Sequence, residues 1–270
     1  MKLKLALGAA VAAGALAVGG VWMLQDRLIY FPGADPGAPP PSWGVLRVAA
    51  SDGLMLTAWL RKSDSSESQP LVVVFPGNAG NRADRRTVGD ALAATGASVV
   101  LAEYRGYGGN PGRPSEEGLV DDALATVDAA VAALGPSNGL VYFGESLGAA
   151  VAVGAAERRP PDAIILGSPF TSLVDVARHH YPWLPVSALL RDRYPSLERI
   201  NGGALAGVPT LVVAGTADGT VPFSQSMEIA AAAGAQTREV EGADHNDASI
   251  RSAPDVIAAV NRFVAQAVGA

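Results

Sequence analysis

A chain of 270 residues with 20 Lys and Arg against 26 Asp and Glu carries a formal net charge of −6. It has no concentrated basic stripe, which excludes a nucleic-acid partner. Cysteine is absent, so a disulfide frame, a thiol nucleophile and a thiolate metal site are excluded as well, and the length suits one α/β domain with little left for a second.

In chain order, Lys2 and Lys4 precede residues 5–24, a stretch without a charge. As a helix it would be about 30 Å long, enough to cross a bilayer. Residues 1–27 are therefore expected to form a membrane anchor, with residues 28–270 as the folded domain. The rival is a cleaved signal peptide with Ala15-Leu16-Ala17 as its cleavage site, which would leave a secreted or periplasmic protein. The apolar run continues through Val18, Val21, Trp22, Met23 and Leu24, which suits an anchor better. Lys2 and Lys4 outweigh Arg27 across the segment, so the N-terminus is expected in the cytoplasm and the domain outside it.

Residues 32–41 are rich in Pro, Gly and Ala and read as a linker or surface loop. Strand candidates follow at 45–49 and 54–60, joined by Ser51-Asp52-Gly53, as an antiparallel edge. From residue 70 strands and helices alternate: strands at 71–75, 98–102, 140–143, 163–166, 210–214 and 237–240, helices at 82–94, 115–134, 147–157, 222–233 and 254–268. The pattern predicts an α/β fold with a mostly parallel central sheet and helices on both faces. Ser115 reads as an N-cap, with Glu116 and Glu117 favouring the helix dipole. The stretch 168–203 breaks the alternation and reads as a small cap over the carboxyl edge of the sheet, where open α/β folds place their ligands. Its aromatics Phe170, Tyr181 and Trp183 are candidates for an apolar substrate pocket.

The chemistry concentrates after the strand at 140–143. Gly144-Glu145-Ser146-Leu147-Gly148 joins that strand directly to an alanine-rich helix, the context of a nucleophile elbow. A second match, Gly135-Pro136-Ser137-Asn138-Gly139, follows a helix and precedes a strand, so it is a connecting turn at the opposite edge. A serine hydroxyl needs an imidazole to take its proton and an acid to orient that imidazole. Of the three histidines only His245 lies after the final strand candidate, as the chain order Ser, acid, His requires. His179 and His180 read as solvated or cap-packing residues, with no carboxylates clustered to make a metal site. Asp218, on the loop after 210–214, is the expected acid, 72 residues after Ser146 and 27 before His245. Asp244 adjoins His245 too closely to face it well, and Asp175 falls in a helical pattern. Backbone N–H groups of Leu147 and of Asn78, in the loop 76–81, are the expected oxyanion donors. No G-K-[ST] follows that loop and residues 106–111 do not complete G-x-G-x-x-G, so no nucleotide is expected.

Together, Leu28-Ile29-Tyr30-Phe31-Pro32 after an anchor, Pro76-Gly77-Asn78-Ala79-Gly80-Asn81, Tyr104-Arg105-Gly106-Tyr107-Gly108, the elbow, Ser168-Pro169-Phe170-Thr171-Ser172 and Asp218-Gly219-Thr220-Val221-Pro222 resemble the α/β-hydrolase superfamily, specifically its Bem46 / α/β-hydrolase-domain-13-like group of membrane-anchored serine hydrolases. The resemblance runs from Leu28 to the end of the chain. It implies the α/β-hydrolase fold, no cofactor, and Ser146, Asp218 and His245 as triad. Pro76 departs from the group, whose members commonly carry histidine before that glycine. The expected activity is cleavage of a small or lipid-like acyl ester or thioester through an acyl-enzyme. Peptide or amide hydrolysis, deacylation of lipidated proteins, and a non-catalytic scaffold are the alternatives.

Overall fold

The computed structural model describes residues 19–20, 22, 24–65 and 68–269. Its frame is a sheet of eight strands in the order β10-β9-β8-β7-β4-β6-β3-β2. In chain order these are β2 (Gly44–Ala49), β3 (Met55–Arg61), β4 (Leu71–Phe75), β6 (Ser98–Leu101), β7 (Leu140–Glu145), β8 (Ala163–Gly167), β9 (Thr210–Gly215) and β10 (Gln236–Val240). β2 and β3 pair antiparallel, as do β3 and β6, and every other neighbouring pair is parallel.

The apolar runs explain this order. β4, β6 and β8 are buried along their whole length, as strands covered on both faces must be, whereas edge strand β2 alternates between buried and exposed. Along β4, Leu71, Val73 and Phe75 enter one core while Val72 and Val74 enter the other, the two-residue period of a pleated strand. The first core is roofed by α2 (Glu116–Leu134), α3 (Leu147–Arg158) and α7 (Phe223–Ala233). The second is roofed by α1 (Arg86–Ala93) and α9 (Pro254–Val268). Ser115 caps α2 by accepting from Gly118 N–H, as its sequence position predicts.

Three local features differ from the sequence reading. The helix expected over 82–94 is a 3₁₀ turn, Arg82–Arg85, followed by α1, because Asn81 and Asp84 close a capping box ahead of it. The linker expected from residue 32 begins pinned: β1 (Phe31–Pro32) pairs in parallel with β5 (Ala79–Gly80). A short helix, α8 (Ala248–Ser252), intervenes before α9.

The cap over 168–203 contains α4 (Leu173–His180), α5 (Val186–Leu189) and α6 (Ser196–Asn201). The chain just before the domain packs on it. Gln25 is buried, donates to Leu189 O and accepts from Arg191 N–H, while Arg191 pairs with Asp26 and lies over the Trp22 ring. Tyr30 donates to Asp192 Oδ2 at 2.6 Å and lies 2.9 Å from the Tyr194 hydroxyl. Among the described residues no helix is long and apolar enough to cross a membrane. Most of the apolar stretch 5–24 lies outside the described residues.

Candidate active site

The turn between β7 and α3 holds Ser146 at φ +53°, ψ −115°, a backbone conformation that costs a non-glycine residue roughly 1–3 kcal/mol and persists only where its surroundings enforce it. They do. Ser146 N–H donates to Gly167 O at 2.8 Å, and its carbonyl accepts from Ala149 N–H at 2.9 Å. The flanking glycines are needed for contact rather than for flexibility. A Cβ on Gly144 would strike the backbone of Gly148 and Ala149, and one on Gly148 would strike the carbonyl oxygens of Phe75 and Pro76. Helix α3 therefore packs directly on the end of β4, which brings the loop after β4 beside Ser146.

Two loops at the same edge meet this serine. His245 Nε2 lies 3.0 Å from Ser146 Oγ, and His245 Nδ1 lies 2.7 Å from Asp218 Oδ2. With Nδ1 donating to the carboxylate, Nε2 is the acceptor for the serine hydroxyl. Asp218 is fixed from behind, since its Oδ1 accepts from Thr220 N–H at 2.9 Å and Val221 N–H at 2.8 Å. Burial opposes ionisation of this carboxyl, but the hydrogen bond and charge of His245 and the two amides outweigh it and hold it below the usual carboxylate range.

The rival carboxylates are engaged elsewhere. Asp244 accepts from Gly219 N–H and His245 N–H, each at 2.7 Å, and so fastens the histidine loop to the Asp218 loop. Asp175 accepts from Thr171 Oγ1 and Ser172 Oγ and pairs with Arg178. His180 is exposed, and its Nε2 lies 2.8 Å from Thr220 O, tying the cap to the acid loop. Among the described residues no group of three or more His, Cys, Asp or Glu side chains could hold a metal.

Asn78 is held on three sides. Its carbonyl accepts from Phe31 N–H at 2.8 Å and the Tyr107 hydroxyl at 2.9 Å, and its Nδ2 donates to Ile29 O at 3.0 Å. Among the described residues its own N–H has no protein acceptor, nor does that of Leu147, the first residue of α3, whose amide has no intrahelical partner. Both are available as donors next to Ser146, with Pro76 O meanwhile accepting from the Tyr104 hydroxyl.

Two cavities meet at Ser146. The larger, of 540 Å³, is apolar and reaches under the cap. Phe170, Tyr181 and Trp183 all line it, Phe170 buried and Trp183 76% exposed at the rim. Its opposite wall is Leu28, Ile29 and Phe31, which sequence reasoning did not assign to a pocket. The smaller, of 60 Å³, is mixed in character: Arg85, Glu145, Ser168 and His245 line it together with Phe143 and Ile250. Of these, Arg85, Glu145 and Ser168 were not assigned to a pocket from the sequence, although Glu145 stands directly before Ser146 and Ser168 opens the Ser168–Ser172 motif.

Comparison with known proteins gives the same fold and a set of relatives. The family model described as serine aminopeptidase, S33, matches residues 66–199. Rv2307c, an uncharacterised protein of Mycobacterium tuberculosis, is 45% identical over 97% of this chain and 94% of its own length. WAV2 of Arabidopsis thaliana, an α/β-hydrolase domain-containing protein, is 30% identical over 82% of this chain and 80% of its own. Protein bem46 of Schizosaccharomyces pombe is 27% identical over 88% and 86%. Among solved structures, the Pyrococcus furiosus esterase Pf2001 superposes with a TM-score of 0.71 at 17% identity, covering 89% of this chain and 98% of that one, a likeness of fold.

Proposed function

The chain belongs to the α/β-hydrolase superfamily, in its Bem46-like group, and from that premise we propose that it is a membrane-tethered serine hydrolase cleaving carboxylic esters or thioesters through an acyl-enzyme. His245 Nε2 takes the proton of Ser146 as Oγ attacks the acyl carbonyl, and Asp218 holds the imidazolium that forms. The amides of Asn78 and Leu147 receive the oxyanion. The imidazolium then protonates the leaving alcohol or thiol. Water, deprotonated by the same imidazole, releases the acid.

The observation that carries this reading is the unbroken chain from Asp218 Oδ2 through His245 to Ser146 Oγ, with links of 2.7 and 3.0 Å. An ester or thioester is favoured over a peptide because the larger cavity offers an acyl chain an apolar wall and few polar partners along its length. Such a constellation also argues against a non-catalytic scaffold. The tether is the charge-free stretch 5–24, with the domain on the outer side of the membrane.

The test is kinetic, with p-nitrophenyl esters and acyl thioesters of increasing chain length. Ser146→Ala and His245→Ala should each abolish turnover, with the double variant little worse, because residues of one unit are strongly non-additive. Asp218→Asn should be severe and Asp175→Asn mild. Equal turnover by Ser146→Ala, or damage from Asp175→Asn alone, would refute the assignment.

A further inference from the structure

The small cavity has a chemical character that the triad does not use. Glu145 is 5% exposed and Ser168 3% exposed, yet Glu145 Oε1 and Ser168 Oγ meet no hydrogen-bond partner among the described residues, and both residues line this cavity beside Ser146 and His245. The other carboxylate oxygen, Glu145 Oε2, accepts from Arg85 Nε at 3.0 Å. The Arg85 guanidinium reaches past Gly77, where a Cβ would touch Arg85 Nη2 at 3.4 Å and Ser146 Cβ at 3.7 Å. A buried carboxylate oxygen and a buried hydroxyl without partners are costly, and such groups find their partner in a ligand or in water.

We propose that this cavity is the alcohol subsite of the enzyme and takes a short hydroxylated leaving group, such as the glycerol of a monoacyl ester. The proposal rests on the esterase reading above. The acyl chain lies in the 540 Å³ apolar cavity and the alcohol in the 60 Å³ one, whose polar groups are Arg85, Glu145, Ser168 and His245, with the ester carbon at Ser146 between them. A cavity of 60 Å³ suits a short alcohol better than a long alkyl one. Arg85 and Glu145 offset each other's charge, so the site favours a neutral group: an anion would face Glu145 and an ammonium would face Arg85. A hydroxyl both donates and accepts, matching the Glu145 acceptor and the Ser168 hydroxyl at once. His245 lines the same cavity, which puts its proton beside the departing oxygen. In the step the Ser146 Oγ–acyl bond forms, the acyl–alcohol C–O bond breaks, and the proton taken from Ser146 passes from Nε2 to the alcohol oxygen. Water alone completes the second half-reaction.

The experiment compares 1-decanoylglycerol with propyl decanoate on the full chain in detergent, with p-nitrophenyl decanoate as reference. The two alkyl esters share the acyl chain and the three-carbon alcohol and differ in the hydroxyls. A subsite built to hydrogen-bond them should favour the glycerol ester in kcat/KM by about tenfold or more. Ser168→Ala, and separately Glu145→Gln, should lower that ratio at least about threefold, one hydrogen bond's share. The ratio is taken within each variant, so a general loss of activity cancels. A wild-type ratio near one, or a ratio unchanged in both variants, overturns the subsite while leaving the esterase reading intact. Failure of wild type to hydrolyse any of the three esters overturns both.

Discussion

Gly148→Ala probes the junction on which the site depends. The added methyl would collide with the carbonyl oxygens of Phe75 and Pro76, which are backbone atoms at the end of β4 and the start of the Asn78 loop. No side chain can swing away, so either α3 lifts off the sheet or the loop moves outward. Overpacking of this kind costs roughly 1–3 kcal/mol, and with only backbone to yield the upper half of that range is expected. For a chain of this size that lowers Tm by about 4–12 °C. Activity should suffer more than stability. Either movement separates the N–H groups of Leu147 and Asn78, and one misplaced oxyanion donor costs about 100- to 1000-fold in kcat. Gly44→Ala is the control, since its Cβ would meet only Leu60 O at an ordinary 3.7 Å. Thermal unfolding and p-nitrophenyl ester kinetics on the two variants make the comparison. The reasoning fails if Gly148→Ala matches Gly44→Ala in both.

Tyr30→Phe should release the cap. Burial drives the Tyr30 hydroxyl far above its ordinary range, so it remains the donor to Asp192, and its loss leaves the buried Tyr194 hydroxyl short of a partner. The expected cost is about 1–3 kcal/mol, read as a lower Tm, with KM rising more for long acyl esters than for short ones because residues 28–31 wall the acyl cavity. Glu103→Gln should flatten part of the pH profile of stability. Burial, opposed by hydrogen bonds from Arg82, raises the Glu103 carboxyl from 4.5 to about 7. The folded state thus binds this proton more tightly than the unfolded one. Its contribution is complete below pH 4.5 and is lost as pH rises through 7, on the order of 3 kcal/mol in all. Chemical denaturation across that window should show the slope in wild type and lose it in the variant. Protease added to intact cells, or to spheroplasts where an outer membrane exists, should digest the domain and spare a cytoplasmic control. Protection until lysis would reverse the topology.

The inner strands β4, β6, β7, β8 and β9 were legible because each is a short apolar run bounded by glycine, proline or polar residues, and β4, fixed by Pro70 and Pro76, was read with both ends in place. The elbow was legible for a related reason: Gly144 and Gly148 stand at a strand-to-helix junction, and that context separated Ser146 from the decoy at Ser137. That His245 and Asp218 lie beside Ser146 agrees with the chain order. What escaped was set by tertiary contact alone. The two-residue pairing of Phe31–Pro32 with Ala79–Gly80 has no period to detect. Leu28 and Ile29 have the same apolar character whether they extend a membrane segment or wall a cavity, so their side of the pocket had no signature. Arg85, at the end of the 3₁₀ turn, and Ser168, after β8, line one cavity with Glu145 through the sheet order, which no local pattern shows.

The central claim is that Ser146 is a nucleophile activated by His245, and active-site labelling with a fluorophosphonate tests it most directly. The account predicts one covalent adduct on the full chain, mapped by mass spectrometry to the peptide containing Ser146, and its loss in both Ser146→Ala and His245→Ala. An adduct at Ser137, or undiminished labelling of Ser146→Ala, would contradict it.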